Sequence, residues 1–166
     1  THYSIFPQTF PRGPPPHTSF SPDLRQLRKE YLQLQAKAHP DVASAAHKSH
    51  AEALSARINE AYKTLQDPLR RAQYLLAQKG IDVADDSAKL DAETDGGELL
   101  MEVMEAREAV DDVDDEEGLV KIRNENNARI DKSVQILESA FAEEDLATAT
   151  REAVKLRYWM NIDESI

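Results

Sequence analysis

The chain has 166 residues, 20 of them Lys or Arg and 31 Asp or Glu, for a formal net charge of −11. Hydrophobic residues make up 40%, enough to build a core for one domain or two small ones and too many for a wholly disordered chain, while 5 Gly and 8 Pro favour helix over sheet. The absence of cysteine excludes a disulfide framework, a thiolate zinc site, a metal cluster held by the chain's own thiolates and a cysteine nucleophile.

In chain order, a short element at Tyr3-Ser4-Ile5-Phe6 precedes an irregular stretch, Pro7 to Pro22, whose prolines remove the amide hydrogens that a helix interior requires. This stretch is expected to be an extended loop. Ser21-Pro22-Asp23 reads as a helix start: a side-chain oxygen for the free amides, proline in the first turn and an acid near the positive end of the dipole. Leu24, Leu27, Tyr31, Leu34 and Ala38 then recur at steps of three and four and mark a buried stripe, which Pro40 ends. A second helix, from about Ser49 to Gln66, carries Leu54, Ile58, Ala61 and Leu65 and pairs antiparallel with the first. A third, from Pro68 to Lys79, turns Leu69, Ala72, Leu75 and Leu76 inward and stops at Gly80.

From Gly80 to Glu98 the apolar rhythm gives way to Asp, Ser, Ala, Thr and paired Gly, which reads as a linker. Beyond it, Leu99 to Val110 is one helix. Leu119, Ile122, Ile130, Val134, Leu137 and Phe141 trace another. Leu146, Ala149, Ala153, Leu156 and Met160 trace a last one behind an Asp145 cap, completing a three-helix bundle. The organisation is thus 1–80 a helical hairpin with a short third helix, 81–98 a linker, and 99–166 the bundle. No apolar run approaches the ~20 residues of a membrane span, and the chain begins at Thr1 with no legible targeting segment.

Residues 1–80 carry 11 Lys/Arg against 6 Asp/Glu, and residues 81–166 carry 9 against 25, so the halves stand at +5 and −16. Two surfaces for different partners fit this balance, and the acidic half would repel nucleic-acid phosphates. In the helix from Leu99, the row Leu99, Val103, Ala106, Val110 suffices for docking, yet Leu100, Met101 and Met104, with Glu105 and Glu108 beside them, fall on another face. Burial over a wider arc is the plain reading. Tyr158 favours a partner surface: it sits two residues from both Leu156 and Met160 and is expected to point away from their stripe, and Tyr and Met are enriched in interface cores.

His39-Pro40-Asp41 lies between the first two long helices, after a basic helix and before Ile58-Asn59-Glu60-Ala61-Tyr62-Lys63-Thr64-Leu65, Asp67-Pro68 and Arg70-Arg71-Ala72-Gln73-Tyr74. Pro40 stiffens the loop, and His39 and Asp41 offer hydrogen-bonding groups at its tip. The whole constellation resembles a J-domain. The resemblance implies docking on a DnaK-class chaperone and stimulation of that partner's ATPase through Arg28, Lys29, Tyr31, Lys37, His39, Pro40 and Asp41, with His39 a contact and no general base. Leu32 and Gln33 stand where many J-domains are basic, which favours a dedicated chaperone over a generalist one.

Tyr3-Ser4-Ile5-Phe6, the run Leu27 to Gln35, Tyr74-Leu75-Leu76, Leu99 to Glu108 and Leu156-Arg157-Tyr158-Trp159 extend the resemblance over nearly the whole chain, to the HscB family and most of all to its fungal mitochondrial members, the Jac-type co-chaperones of iron–sulfur cluster biogenesis. It implies an all-α fold with two helical modules in an L-shaped arrangement, a mitochondrial matrix location, and binding of the IscU/Isu-type scaffold through Leu100, Met101, Met104, Glu105, Glu108 and Tyr158. A basic position of the family further along that helix is Asp112 here. No cofactor of the chain's own is expected, no membrane or nucleic-acid partner, and no enzymatic activity. A general co-chaperone for unfolded clients and a helical adaptor are the alternatives.

Two other signals fail. Asp111 to Glu117 holds six acids in seven residues, but counted from Asp112 the sixth position of a calcium loop is Glu117, and Gly118 arrives one residue late. His39, His47 and His50 lack a fourth ligand for zinc.

Overall fold

The computed structural model describes residues 1–83 and 97–166, and the described residues contain helices and no strand. The long helices are α1 (Leu24–Ala38), α2 (Lys48–Gln66), α3 (Pro68–Gln78), α4 (Glu98–Asp112), α5 (Glu116–Ala142) and α6 (Leu146–Ser165), with single 3-10 turns at Tyr3–Ile5, Pro40–Val42 and Ala45–His47. The fold is all-α. None of these helices is long and apolar enough to cross a membrane. The chain divides into two compact units, Thr1–Tyr74 and Leu75–Ile166, with the division inside α3. Most of the expected linker, residues 84–96, lies outside the described residues.

In the first unit, Asp23 and not Ser21 caps α1, accepting from Gln26 N–H at 3.1 Å, so Pro22 precedes the cap. Starting two residues late puts Leu24 at the helix end, where it is exposed, while Glu30, which the apolar spacing leaves out, is buried. Leu54 is likewise exposed while Ala51 is buried. The core gathers Tyr3, Phe6, Phe10, Phe20, Leu27, Ile58, Ala61 and Leu65. Four of these aromatic side chains come from the segment before α1, because its irregular backbone is pinned and not merely extended.

Two buried charged residues do the pinning. The Glu30 carboxylate accepts from Gln8 N–H (2.9 Å), Thr9 N–H (2.8 Å) and Thr9 Oγ1–H (2.7 Å). Arg71 donates from Nε to the Leu65 carbonyl (2.8 Å) and from Nη1 to the Phe20 carbonyl (3.1 Å), its guanidinium lying 4.8 Å over the Phe20 ring. Each supplies partners for backbone groups that no helix satisfies. The Tyr3 hydroxyl is buried with no hydrogen-bond partner, and burial pushes its ionisation upward.

In the second unit, Gly80 takes a left-handed φ of +79° as Ile81 N–H returns to Leu76 O at 2.9 Å, the helix stop expected there. Gly118 serves α5. Asp115 caps that helix by accepting from Gly118 N–H, and a Cβ at 118 would lie 2.7 Å from Val113 Cγ2 and 2.8 Å from Asp115 Oδ1. α5 and α6 run antiparallel, since Asn126 Nδ2 donates to Trp159 O (2.9 Å) and Ser133 Oγ to Glu152 Oε1 (2.7 Å). These four residues are buried, whereas Ile122, Ile130 and Val134 are only half-buried. α6 is buried on a wide arc: Ala149, Glu152, Ala153, Leu156, Trp159 and Ile162, with Met160 at the margin.

Replacing Glu30 with Ala strands three donors and is expected to lower stability by about 2–4 kcal/mol in urea unfolding, with early proteolysis between residues 7 and 20. Hydrogen bonds from the Thr148 hydroxyl and amide hold the Asp145 carboxyl below its ordinary value of 3.8. Its contribution to the start of α6 is therefore complete above that value and disappears as pH falls through the lowered one. Asp145→Asn should flatten this part of the acid dependence of the melting temperature followed by circular dichroism.

Candidate functional site

Two exposed surfaces, one on each unit, collect the candidate residues. The first is the loop after α1. Pro40 stops the helix, and the chain tightens at once into a 3-10 turn in which Val42 N–H reaches His39 O (3.1 Å) and Ala43 N–H reaches Pro40 O (3.1 Å). His39 Nδ1 accepts from Asp41 N–H at 3.2 Å and lies 3.4 Å from Asp41 Oδ2. The side chains of His39 and Asp41 are 54% and 88% exposed, so the tip presents an imidazole and a carboxylate to the surroundings. Arg28, Lys29 and Lys37 are exposed on α1 and Pro40 is half-buried.

Tyr31 differs from them. Its ring stacks on Tyr62 of α2, centroids 4.1 Å apart and 9° from parallel, and its hydroxyl donates to Asn59 Oδ1 at 2.6 Å. Gln35 Nε2 donates to the same oxygen (2.8 Å) and to Ser55 O (3.1 Å), while Ser55 Oγ donates to Gln35 Oε1 (2.8 Å). Advancing one turn on α1 retreats one turn on α2, so the helices are antiparallel. The network fixes their register, and with it the place where the loop emerges. Sequence reading missed it, although Tyr31/Gln35 and Ser55/Asn59 are both pairs one helical turn apart, the spacing that puts polar groups on one face.

The second surface is on α4. Leu99, Val103 and Ala106 are buried against Trp159 and Ile162, with Val110, Ile130, Tyr158 and Ile166 packed around them. At 100° per residue, Leu100, Met104 and Met101 lie about 90°, 130° and 170° around the helix from the centre of that row, and they are 46%, 61% and 63% exposed. Glu105 and Glu108 are exposed beside them. Tyr158 departs from the sequence expectation: it is half-buried against the α4–α6 cluster and does not stand free of the core. The cause is that α6 meets both α5 and α4, so it has two buried faces and a residue off one stripe falls on the other. Trp159 and Ile162, absent from the expected stripe, occupy that second face. Among the described residues no group of three or more His, Asp or Glu side chains is placed to hold a metal ion.

Residues 19–74 match the DnaJ domain, and residues 96–166 match the HSCB C-terminal oligomerisation domain. The chain is 36% identical over 163 residues to the mitochondrial J-type co-chaperone JAC1 of Saccharomyces cerevisiae, covering 98% of this chain and 84% of that protein. It is 34% identical to the human iron–sulfur cluster co-chaperone protein HscB, over 89% of this chain and 63% of that protein. Among solved structures, the Jac1 co-chaperone from Saccharomyces cerevisiae superposes with a TM-score of 0.79 at 32% identity, covering 99% of this chain and 92% of that one. The chaperone HscB from Vibrio cholerae superposes with a TM-score of 0.78 at 29% identity, covering 99% and 93%.

Asn59→Ala deprives Tyr31 and Gln35 of their shared acceptor and is expected to destabilise the first unit by about 1–2 kcal/mol in urea unfolding. Tyr31→Phe, which removes one donor and keeps the stack on Tyr62, should cost less than Asn59→Ala in the same measurement.

Proposed function

We propose, from the premise that this chain belongs to the HscB/Jac1 family of J-type co-chaperones, that it binds an IscU/Isu-type iron–sulfur scaffold, brings it to a dedicated DnaK-class chaperone and stimulates that chaperone's ATPase to promote cluster transfer. The observation that carries the reading is the pair of exposed surfaces on separate compact units: the His39-Pro40-Asp41 tip beside a basic helix, and the apolar row Leu100, Met101, Met104 flanked by acids.

The two surfaces suit different chemistry. Arg28, Lys29 and Lys37 steer an acidic chaperone surface toward the loop, where His39 and Asp41 make directional contacts. Tyr31 contributes by holding the loop's register through Asn59. The scaffold surface works by apolar burial, with Leu100, Met101 and Met104 at its centre, Tyr158 at its edge on α6 and Glu105 and Glu108 on its rim. Carrying both sites on one chain makes the scaffold's encounter with the chaperone effectively intramolecular, so modest affinities suffice.

The work is binding. ATP hydrolysis belongs to the partner, and the cluster passes from the scaffold without a thiolate of this chain, which has no cysteine to offer. The mitochondrial names of the yeast relatives support a mitochondrial matrix location. The division of labour assigned to 1–80 and 99–166, with 81–98 between them, is part of the same proposal.

Single-turnover ATP hydrolysis by the mitochondrial DnaK-class chaperone, with and without the Isu-type scaffold, tests it. His39→Gln is expected to abolish stimulation and keep scaffold affinity, and the triple change to Ala at Leu100, Met104 and Tyr158 to do the reverse. No stimulation by the wild-type chain under either condition overturns the co-chaperone role, and wild-type scaffold affinity in the triple variant overturns the surface assignment.

A further inference from the structure

α4 carries two apolar rows. Leu99, Val103 and Ala106 are buried, and Leu100, Met101 and Met104 are exposed. Leu100 and Met104 lie about 100° around the helix, and turning them inward would bring Arg107 and Asp111 with them, so apolar burial favours the first row, but it has little direction of its own and leaves the helix's angle loosely set. A directional contact sharpens that choice.

Arg129 on α5 reaches both neighbouring helices. Its Nε lies 3.7 Å from Glu102 Oε1 on α4, and its guanidinium carbon lies 5.3 Å from the centroid of the Trp159 ring on α6. One turn earlier, the buried Asn126 donates to the Trp159 carbonyl, fixing α6 against α5 at the same level. Glu102 sits on the flank of α4, about 60–70° from the centre of the buried row, and faces Arg129 only while that row points inward.

We propose that Arg129 is a positioning residue for the scaffold surface: paired with Glu102 and stacked on Trp159, it selects which face of α4 is buried and so leaves Leu100 and Met104 available to the scaffold. This rests on the scaffold-surface reading above. Without Arg129, α4 redistributes between its two faces, and apparent affinity falls by the fraction that still presents the binding row.

The test uses the full chain, the purified Isu-type scaffold protein and hydrogen peroxide as a probe of methionine exposure. Arg129→Gln is expected to weaken scaffold binding about three- to tenfold and to slow Met104 oxidation by a similar factor, leaving scaffold-free ATPase stimulation unchanged. Arg129→Lys should fall between wild type and Arg129→Gln, and the double change Arg129→Gln/Glu102→Gln should be no weaker than the worse single change. Trp159, the only tryptophan, should report the lost cation in its emission. Wild-type affinity and wild-type Met104 oxidation in Arg129→Gln overturn the proposal. So does weaker binding with faster Met104 oxidation, which marks a loosened helix and no change of face. A Leu100→Ser/Met104→Ser variant that binds the scaffold normally refutes the surface reading itself, whereas its loss of binding beside a normal Arg129→Gln refutes only the role of Arg129.

Discussion

The shared hydrogen bond acceptor at Asn59 is the constraint on which the first unit depends. Apolar stripes bring α1 and α2 together but tolerate sliding, because burial energy scales with area and has little direction. Convergence of the Tyr31 hydroxyl and the Gln35 amide on Asn59 Oδ1 admits one register. That register sets where α1 runs out, and Pro40 turns the chain at that point. The exposed pair His39 and Asp41 is therefore placed by a network between α1 and α2 that lies outside the loop itself. Glu30 and Arg71 extend the same logic to the segment before α1, supplying charged side chains to backbone groups for which an irregular loop has no partners of its own.

The second unit repeats the pattern with different chemistry. Asn126 and Ser133 sit in the middle of α5 where the periodicity calls for apolar residues, and each pairs with α6, through the Trp159 carbonyl and the Glu152 carboxylate. A few polar ties fix helices that a small apolar core of many alanines holds without much specificity. Most carboxylates among the described residues of this half are exposed, and the apolar row Leu100, Met101 and Met104 lies exposed beside those of α4. The two halves thus differ in charge, +5 against −16, and each unit carries its own exposed surface.

Helix positions were legible from spacing and punctuation. Pro40, Asp67-Pro68, Gly80 and Asp145 mark ends that the structure places within a residue or two, since capping and the missing proline amide act locally. The cap of α1 was displaced from Ser21 to Asp23, where a carboxylate meets the Gln26 amide. Which stripe residues are buried was less legible. Leu24 and Leu54 are exposed, Glu30 is buried, and Trp159 and Ile162 replace Met160, because periodicity assumes one buried face and these helices have neighbours on more than one side.

The amino-acid sequence by itself determined the helical class, the helix ends, the tripeptide at the tip of a hairpin and the second apolar row on α4, for these follow from dihedral restrictions and from 3.6-residue periodicity within one segment. Only the tertiary structure decided that Tyr31 belongs to an inter-helix network, that Tyr158 leans on the core, that Glu30 and Arg71 pin the segment before α1, and that Arg129 spans three helices. Each of these is a contact between residues distant in sequence, and its partner is set by how helices pack against one another, which no local pattern encodes.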